Sequence, residues 1–445
     1  MKFYVKNIHV TLTLMSLSKF SLCVLMTQCG KTFVAIEDIR RKLRADPDCV
    51  SIVFTMNTLL NNEQFAKRLD PIAAEYGYDS VVILSSRYKG PYRHVTNVEE
   101  LGSCGNAKVI IMCSHHVRYK EGHQWIKELH DAGIARPVHV YYDELHHYIA
   151  TAKPYIEKTH VLANVSSMMG LTATPMSILR KRGIWSTIKL VTHGALGLDT
   201  YTGIKDMNHV PIDDVFLEPY AAPAFNDYET MDDETIGFIQ NVMDRHPVVF
   251  ENGSRTFVPA HIRRAGHTRV RELIMEKCPT AVVVTINAVD KSIRFMEESV
   301  EQTISLASTQ HEVCERIAAI IEENGLKNRP LFMTGFLCVG MGQTLTHKSF
   351  GTFTHAIIGH MSLNPNALYQ LFGRTTGRTK SWETYTQTTL FCPTLLCNRI
   401  KVVEKCALET IHHADLTHAT YEYPMQTMPE ASSMPKLKTH ELELD

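Results

Sequence analysis

Residues 25–39 read LMTQCGKTFVAIEDI, with Gly30, Lys31 and Thr32 set between an apolar run and an amphipathic one. That is where a buried strand gives way to a helix, and where backbone N–H groups at the helix start can face an anion. In a phosphate-binding loop, Lys31 reaches the β and γ phosphates and the Thr32 hydroxyl ligates Mg²⁺. The glycine that usually opens such a loop, five residues before Gly30, is here Leu25, and Gln28 stands where many loops carry another glycine. Taken alone, the triplet leaves a generic helix start equally open.

The rest of the chain has to decide. Its 445 residues are enough for two or three domains with a core each, and 44% hydrophobic with 21% charged residues describes a globular protein. A net charge of -1 gives no basic polyelectrolyte surface, so a nucleic-acid partner would have to be held by a local groove. Eleven mostly solitary cysteines show no disulfide framework and suggest a reducing, intracellular setting. Cys392, Cys397, Cys406 and His412 have spacing too loose for a zinc knuckle and read as ordinary strand and helix residues. Lys19 interrupts the apolar run near the start of the chain, which therefore falls short of the about 18 uncharged residues of a membrane helix. Residues 20–27 read instead as a strand entering the loop, with no membrane partner.

Periodicity supports an α/β fold. The runs at 20–26, 50–55, 80–85, 108–114, 137–143 and 168–174 lack polar alternation, as strands of a parallel sheet covered on both faces should. Stretches with helical spacing lie between them. Residues 206–248, rich in Pro and Asp over much of their length, read as a linker or insertion. A second alternating series comes after it, with strands expected at 254–260, 280–288, 329–335, 354–360 and 387–393 and a helix at 309–325. The expected organisation is a first domain over 1–205, a second over 249–412, and a polar, disordered tail over 413–445.

At the end of the fifth run, VHVYYDELHHY (138–148) places Asp143 and Glu144 where a parallel sheet gathers its strand ends around a ligand. An aspartate there can hold Mg²⁺ and the adjacent glutamate can activate a water. The series then continues with GLTATP (170–175) and QLFGRTTGR (370–378). In this order MTQCGKT, DELH, TATP and QLFGRTTGR resemble the motif series of superfamily 2 helicases of the DExH type, and the loop is similar to that of viral and phage-like members. The resemblance covers residues 20–393.

It implies two tandem RecA-like domains, each a mostly parallel sheet flanked by helices, with ATP and Mg²⁺ bound in the cleft between them and a nucleic-acid strand across both, DNA favoured over RNA. The implied activity is nucleic-acid-dependent ATP hydrolysis driving a helicase or translocase. Gln28, Cys29, Gly30, Lys31, Thr32 and Gly340 form the implied nucleotide-binding set; Thr32 and Asp143 the metal ligands; and Glu144, Asp143, Gln370, Arg374 and Arg378 the catalytic group. His146, Thr172 and Thr174 are implied to couple hydrolysis to strand movement. The second arginine comes four residues after Arg374 rather than the usual three, which leaves open which one is the arginine finger.

FTMNTLLNNEQ (54–64) is similar to a segment that holds a sugar-phosphate backbone, through Thr55, Asn57 and Thr58. MCSHHVR (112–118) and FVPAHIRRAGHTR (257–269) are comparable strand exits, the latter offering Arg263, Arg264 and Arg269 to phosphates. MTGFLCVGMGQTLTH (333–347) is similar to a further motif, with Thr334 facing nucleic acid. The pairs His115–His116, His146–His147 and His412–His413 are expected to be structural, because neighbours on a strand point to opposite faces. Two other readings stay open: a non-catalytic ATP-binding scaffold, motivated by the unusual loop and by the absence of an adenine-recognising segment before Phe20, and the motor subunit of a restriction or remodelling complex.

Overall fold

A computed structural model describes residues 19–57, 59–88, 90–179, 189–191, 198–214, 228–261, 263–287, 289–306, 312–336, 345–359 and 363–417. The chain divides into two compact units, one running to residue 196 and resuming at Cys406, the other spanning 197 to Lys405. Both are α/β units built on a large sheet.

In the first unit the strands are β1 (Phe20–Val24), β2 (Val50–Thr55), β3 (Val81–Leu84), β4 (Arg93–Val95), β5 (Val109–Cys113), β6 (Val138–Tyr142), β7 (Val165–Thr172) and β8 (Lys189–Val191). They form one sheet in the order β4-β3-β5-β2-β6-β7-β1-β8, and every pairing is parallel. Strands β2, β3 and β6 are buried at every position, which is why their sequences lack polar alternation. The helices between them are α1 (Lys31–Ala45), α2 (Leu59–Lys67), α3 (Asp70–Tyr76), α4 (Val98–Leu101), α5 (His116–Asp131), α6 (Leu145–Thr159) and α7 (Met176–Leu179). Helix α1 buries Val34, Ala35, Ile39 and Leu43, the apolar stripe legible in the sequence.

The strand order gathers distant segments at one sheet edge. β6, β7 and β1 are consecutive and parallel, with Tyr142 opposite Gly170 and Leu22 opposite the same glycine. Their C-terminal ends therefore open on that edge together, although the segments that leave them are more than a hundred residues apart at the extremes. Gly170 lets the side chains close in there: a Cβ would stand 2.6 Å from Cδ2 of Leu145 and 3.1 Å from Cδ1 of Leu22, so both would have to shift.

The second unit contains β9 (Asn208–Pro211), α8 (Tyr228–Arg245), β10 (Arg255–Phe257), α9 (Arg264–Lys277), β11 (Val282–Ile286), β12 (Lys291–Glu297), β13 (Val300–Ser305), α10 (Val313–Glu323), β14 (Leu331–Gly335), β15 (His355–Ile357), α11 (Pro365–Phe372) and β16 (Thr389–Cys392). Helix α12 (Thr394–Thr417) begins in it. The sheet order is β13-β12-β11-β14-β10-β15-β16-β9, parallel except for β11-β12 and β12-β13.

Two stretches differ from the expectation. Much of 206–248, expected as a linker or insertion, belongs to the unit: β9 is the edge strand beside β16, and α8 buries Ile236, Phe238, Ile239, Val242 and Met243 in the core with Ile274, Val283 and Phe332. The apolar spacing at 236, 239, 242 and 243 is a usable helix signal, obscured by the acidic residues before it. The hairpin β12-β13 is also absent from the expected elements, because its turn is Glu298-Ser299, both at positive φ, without the Asn-Gly or Asp-Gly that marks such turns. Residues 413–417, expected in the tail, continue α12; the tail beyond them and Thr58 lie outside the described residues.

Candidate functional site

β1 ends at Val24, and Leu25 still donates its N–H to the Thr172 carbonyl oxygen at 3.1 Å, so the position that lacks the usual glycine extends the strand pairing. The chain then turns sharply through Gln28, at φ 58°, and Gly30, at φ 90° and ψ 29°. Only glycine takes that conformation freely, and for glutamine it costs of the order of 1 kcal/mol. At Gln28, where many loops carry a second glycine, a glutamine thus holds the left-handed turn. Exchanging Gln28 for glycine should leave stability within about 1 kcal/mol, since strain relief and added chain entropy oppose one another. Gln28→Val should cost about 2 kcal/mol in denaturant melts, because a β-branched residue resists left-handed φ most.

After this turn α1 starts at Lys31 with no side-chain cap and no acidic residue in its first turn. An uncapped N-terminus leaves N–H groups and the positive end of the helix dipole facing outward, a setting suited to phosphate. Cys29 is buried behind the loop, with its N–H on the Met26 carbonyl oxygen at 3.2 Å, and Thr32 lies partly exposed on the first turn.

The edge shared by β6, β7 and β1 brings the acidic pair to this loop. Lys31 Nζ lies 3.2 Å from Glu144 Oε1, both side chains about nine-tenths buried. Glu144 is the N-cap of α6 and sits at φ 46° and ψ 44°, a second non-glycine residue in the left-handed region. Its N–H donates to Asp143 Oδ1 at 3.1 Å, which fixes the turn that aims its carboxylate at Lys31. Glu144 Oε2 is 3.5 Å from His146 Nδ1, His146 Nδ1 is 3.0 Å from Thr172 Oγ1, and Thr172 Oγ1 accepts the N–H of Thr174 at 3.0 Å. The five residues from Lys31 to Thr174 lie in a row across three strand ends, hydrogen-bonded from His146 to Thr174 and reaching Glu144 by the 3.5 Å approach of its Oε2. Three atoms in it, Glu144 Oε2, His146 Nε2 and Thr174 Oγ1, are buried without a hydrogen-bond partner among the described residues.

The electrostatics follow from this crowding. Burial, and then the neighbouring Glu144 carboxylate, push the Asp143 carboxyl above its usual range, against the pull of Lys31. Burial, and then His147 and Lys31, hold His146 well below its ordinary value, so the ring is neutral at neutral pH. An ATP–Mg²⁺ group fits this edge: Lys31 and the uncapped α1 start suit phosphate, and Asp143 with Thr32 supplies the hard oxygen ligands that Mg²⁺ prefers. The raised Asp143 favours the protein while protonated, a contribution present below its unfolded value of 3.8 and lost as pH rises through the higher folded value. Metal ligation needs the carboxylate, so the sign reverses for binding. If Asp143 holds Mg²⁺, the thermal stabilisation by Mg²⁺-nucleotide should shrink as pH falls through the raised Asp143 value, above the range of an ordinary aspartate. Asp143→Asn should remove that pH dependence.

The remaining expected residues scatter. Gln370 is buried in α11 and Arg374 is buried in the turn after it, whereas Arg378 is exposed. Between them Gly377 is tied back to Thr202 by paired backbone hydrogen bonds of 2.7 and 3.1 Å. Gly340 lies outside the described residues. Thr334 is fully buried in β14, and Thr55 is buried with its hydroxyl on the side chain of Asn62, so neither hydroxyl is presented to a backbone phosphate as expected. Asn57 is exposed and its N–H bonds the Tyr148 hydroxyl at 3.0 Å. Arg263 is ion-paired to Glu229 and Asp232 of α8 and Arg269 to Asp233, while Arg264 is exposed. The histidine pairs lie on or at the start of helices rather than on strands: His115 caps α5 by accepting the Val117 N–H, and the rings of His146 and His147 are 4.0 Å apart and tilted by 41°.

The fold and this edge define an α/β protein whose first sheet carries a lysine–acid site at a helix N-terminus. No protein-family model matches the chain, and no curated protein does. Solved structures similar to it include the DUF1998 helicase MrfA bound to DNA (11% identity, 89% of this chain, 48% of that one, TM-score 0.45). They also include yeast (S. cerevisiae) Dbp5 bound to RNA and ADP BeF3, at 9% identity over 88% of this chain and 83% of that one, TM-score 0.45. A third is the ATP-dependent Type ISP restriction-modification enzyme LlaBIII bound to DNA, at 14% identity over 88% and 28%, TM-score 0.48. The chain spans about half the length of the MrfA chain. Among the described residues no helix is long and apolar enough to cross a membrane.

Proposed function

We propose that the protein is an ATP-dependent nucleic-acid translocase or helicase of the DExH type. The observation that carries the reading is the polar line from Lys31 through Glu144 and His146 to Thr172 and Thr174. It joins the loop motif, the acidic motif and the TAT motif, which the sequence keeps far apart. Bound ATP–Mg²⁺ would supply the phosphoanhydride to be cleaved. Lys31 would neutralise phosphate charge, Thr32 and Asp143 would hold the metal, and Glu144, which lies 3.2 Å from Lys31, would take the proton of the attacking water. Once Lys31 turns to phosphate, the Glu144 carboxylate keeps His146 as its neighbour, and through it Thr172 and Thr174.

In the second unit the exposed Arg378 is the better finger, since Arg374 is enclosed by its own unit. Arg378→Ala should cut turnover by about 10³-fold at unchanged melting temperature. Arg374→Ala should instead destabilise the fold by about 3 kcal/mol. Rate and melting measurements on both variants decide between them; the opposite pattern moves the finger to Arg374.

The deciding assay is ATP turnover against single- and double-stranded DNA and RNA, with Lys31→Ala as control. Stimulation by nucleic acid, DNA above RNA, is expected. Tight nucleotide binding with no turnover on any strand would replace this reading with that of a scaffold.

A further inference from the structure

The second unit places three metal-ligating side chains together at a corner the proposed ATPase does not use. His209 stands on the edge strand β9, Cys392 is the last residue of β16, and Cys397 lies in the first turn of α12. One ring nitrogen of His209 and the two Sγ atoms all lie within 4.8 Å of one another. Both cysteines are at most 1% exposed and His209 is partly exposed, so the pocket is closed on the sulfur side and open on the imidazole side. We propose that His209, Cys392 and Cys397 form a Cys₂His site for a thiophilic divalent cation, zinc before others, which fastens β9 to the end of β16 and the start of α12.

The chemistry suits that ion. Two thiolates neutralise a dication and the imidazole adds a borderline donor, the mixture zinc prefers. With Zn–S bonds of about 2.3 Å, a tetrahedral centre needs its sulfurs about 3.8 Å apart, so the side chains have to close by at most about 1 Å. The backbone is already held around the site. His209 Nε2 lies 3.0 Å from the Cys392 carbonyl oxygen, which orients the ring as outer-shell bonds do in metal centres. Asp213 accepts the Thr394 N–H at 2.7 Å and the Thr394 hydroxyl at 2.6 Å, which locks the start of α12 and keeps its carboxylate occupied. The fourth position is therefore left for water. Buried thiols alone are common core fillers; the convergence of three ligands from three elements is what distinguishes this corner. Cys406, grouped with Cys392 and Cys397 by sequence spacing, is not part of the trio. His209 joins Cys392 and Cys397 because β9 pairs with β16.

The test uses the full chain, reduced with a phosphine, stripped with a chelator and titrated with Co²⁺. One equivalent should bind with a thiolate-to-cobalt charge-transfer band and the visible bands of a tetrahedral site, bleached by stoichiometric Zn²⁺. Cys397→Ser should abolish the charge-transfer band at one equivalent and His209→Gln should weaken it, whereas Cys104→Ser and Cys314→Ser should leave it intact. Zinc should also raise the melting temperature of the stripped wild type by about 5 °C, a reading that needs no variant to fold. No cobalt band in the reduced wild type overturns the proposal, as does a band unchanged in Cys397→Ser. Formation of a Cys392–Cys397 disulfide in air by a protein that takes up no cobalt when reduced also overturns it and makes the pair a redox couple. None of these readouts depends on ATP turnover, so the ATPase proposal can fail without affecting them.

Discussion

Lys31→Ala is expected to lose both activity and stability. The ammonium is the one cation bonded to the Glu144 carboxylate among the ion pairs of the described residues, at 3.2 Å and nearly shielded from water. Removing one partner of such a pair leaves an uncompensated buried charge, at a cost of about 3 kcal/mol. Turnover should fall by at least about 10²-fold, because the charge that balances the phosphates disappears with the same atom. The two effects separate in a double-mutant cycle. Lys31→Ala with Glu144→Ala should recover part of the stability, since the stranded carboxylate goes too, but none of the turnover. Urea melts and ATPase rates on the four proteins make the check. Wild-type turnover in Lys31→Ala would remove this lysine from the nucleotide site.

Glu144→Gln should behave differently. The amide keeps the shape, and its oxygen can still accept from Lys31, so the stability cost should be about 1 kcal/mol. Nucleotide should still bind, because Lys31, Thr32 and the start of α1 are untouched. Turnover should drop about 10²–10⁴-fold, since an amide cannot take a proton from water. Equilibrium binding of a nucleotide together with single-turnover hydrolysis tests the split. If Glu144→Gln hydrolyses ATP at the wild-type rate, the general base lies elsewhere; if it loses binding as Lys31→Ala does, Glu144 serves the loop and not the water.

The two variants probe a site that is only partly legible in the sequence. Strands such as β2 and β6 can be read directly, because burial on both faces removes polar residues and leaves unbroken apolar runs. The elements that escape such a reading are those whose local signal is weak. The β12-β13 turn uses Glu298 and Ser299 where glycine or asparagine would announce it, and β9 is four residues of edge strand whose neighbour β16 lies far along the chain. Thr55 shows the limit for single residues: its place after a strand suggests a phosphate ligand, but only packing shows its hydroxyl engaged by Asn62.

By itself the sequence determined the alternation of apolar runs and helices, the glycine–lysine–threonine start of α1 and the acidic pair at the end of β6. These depend on neighbours along the chain, within the reach of periodicity and turn chemistry. Tertiary structure alone decided that Glu144 meets Lys31, that His146 bridges to Thr172, that Arg378 is exposed while Arg374 is buried, and that His209 joins Cys392 and Cys397. Each of these depends on which strands lie side by side. Strand order is fixed by the burial of whole sheet faces and the handedness of the crossovers, quantities spread over the unit that no single stretch of residues carries.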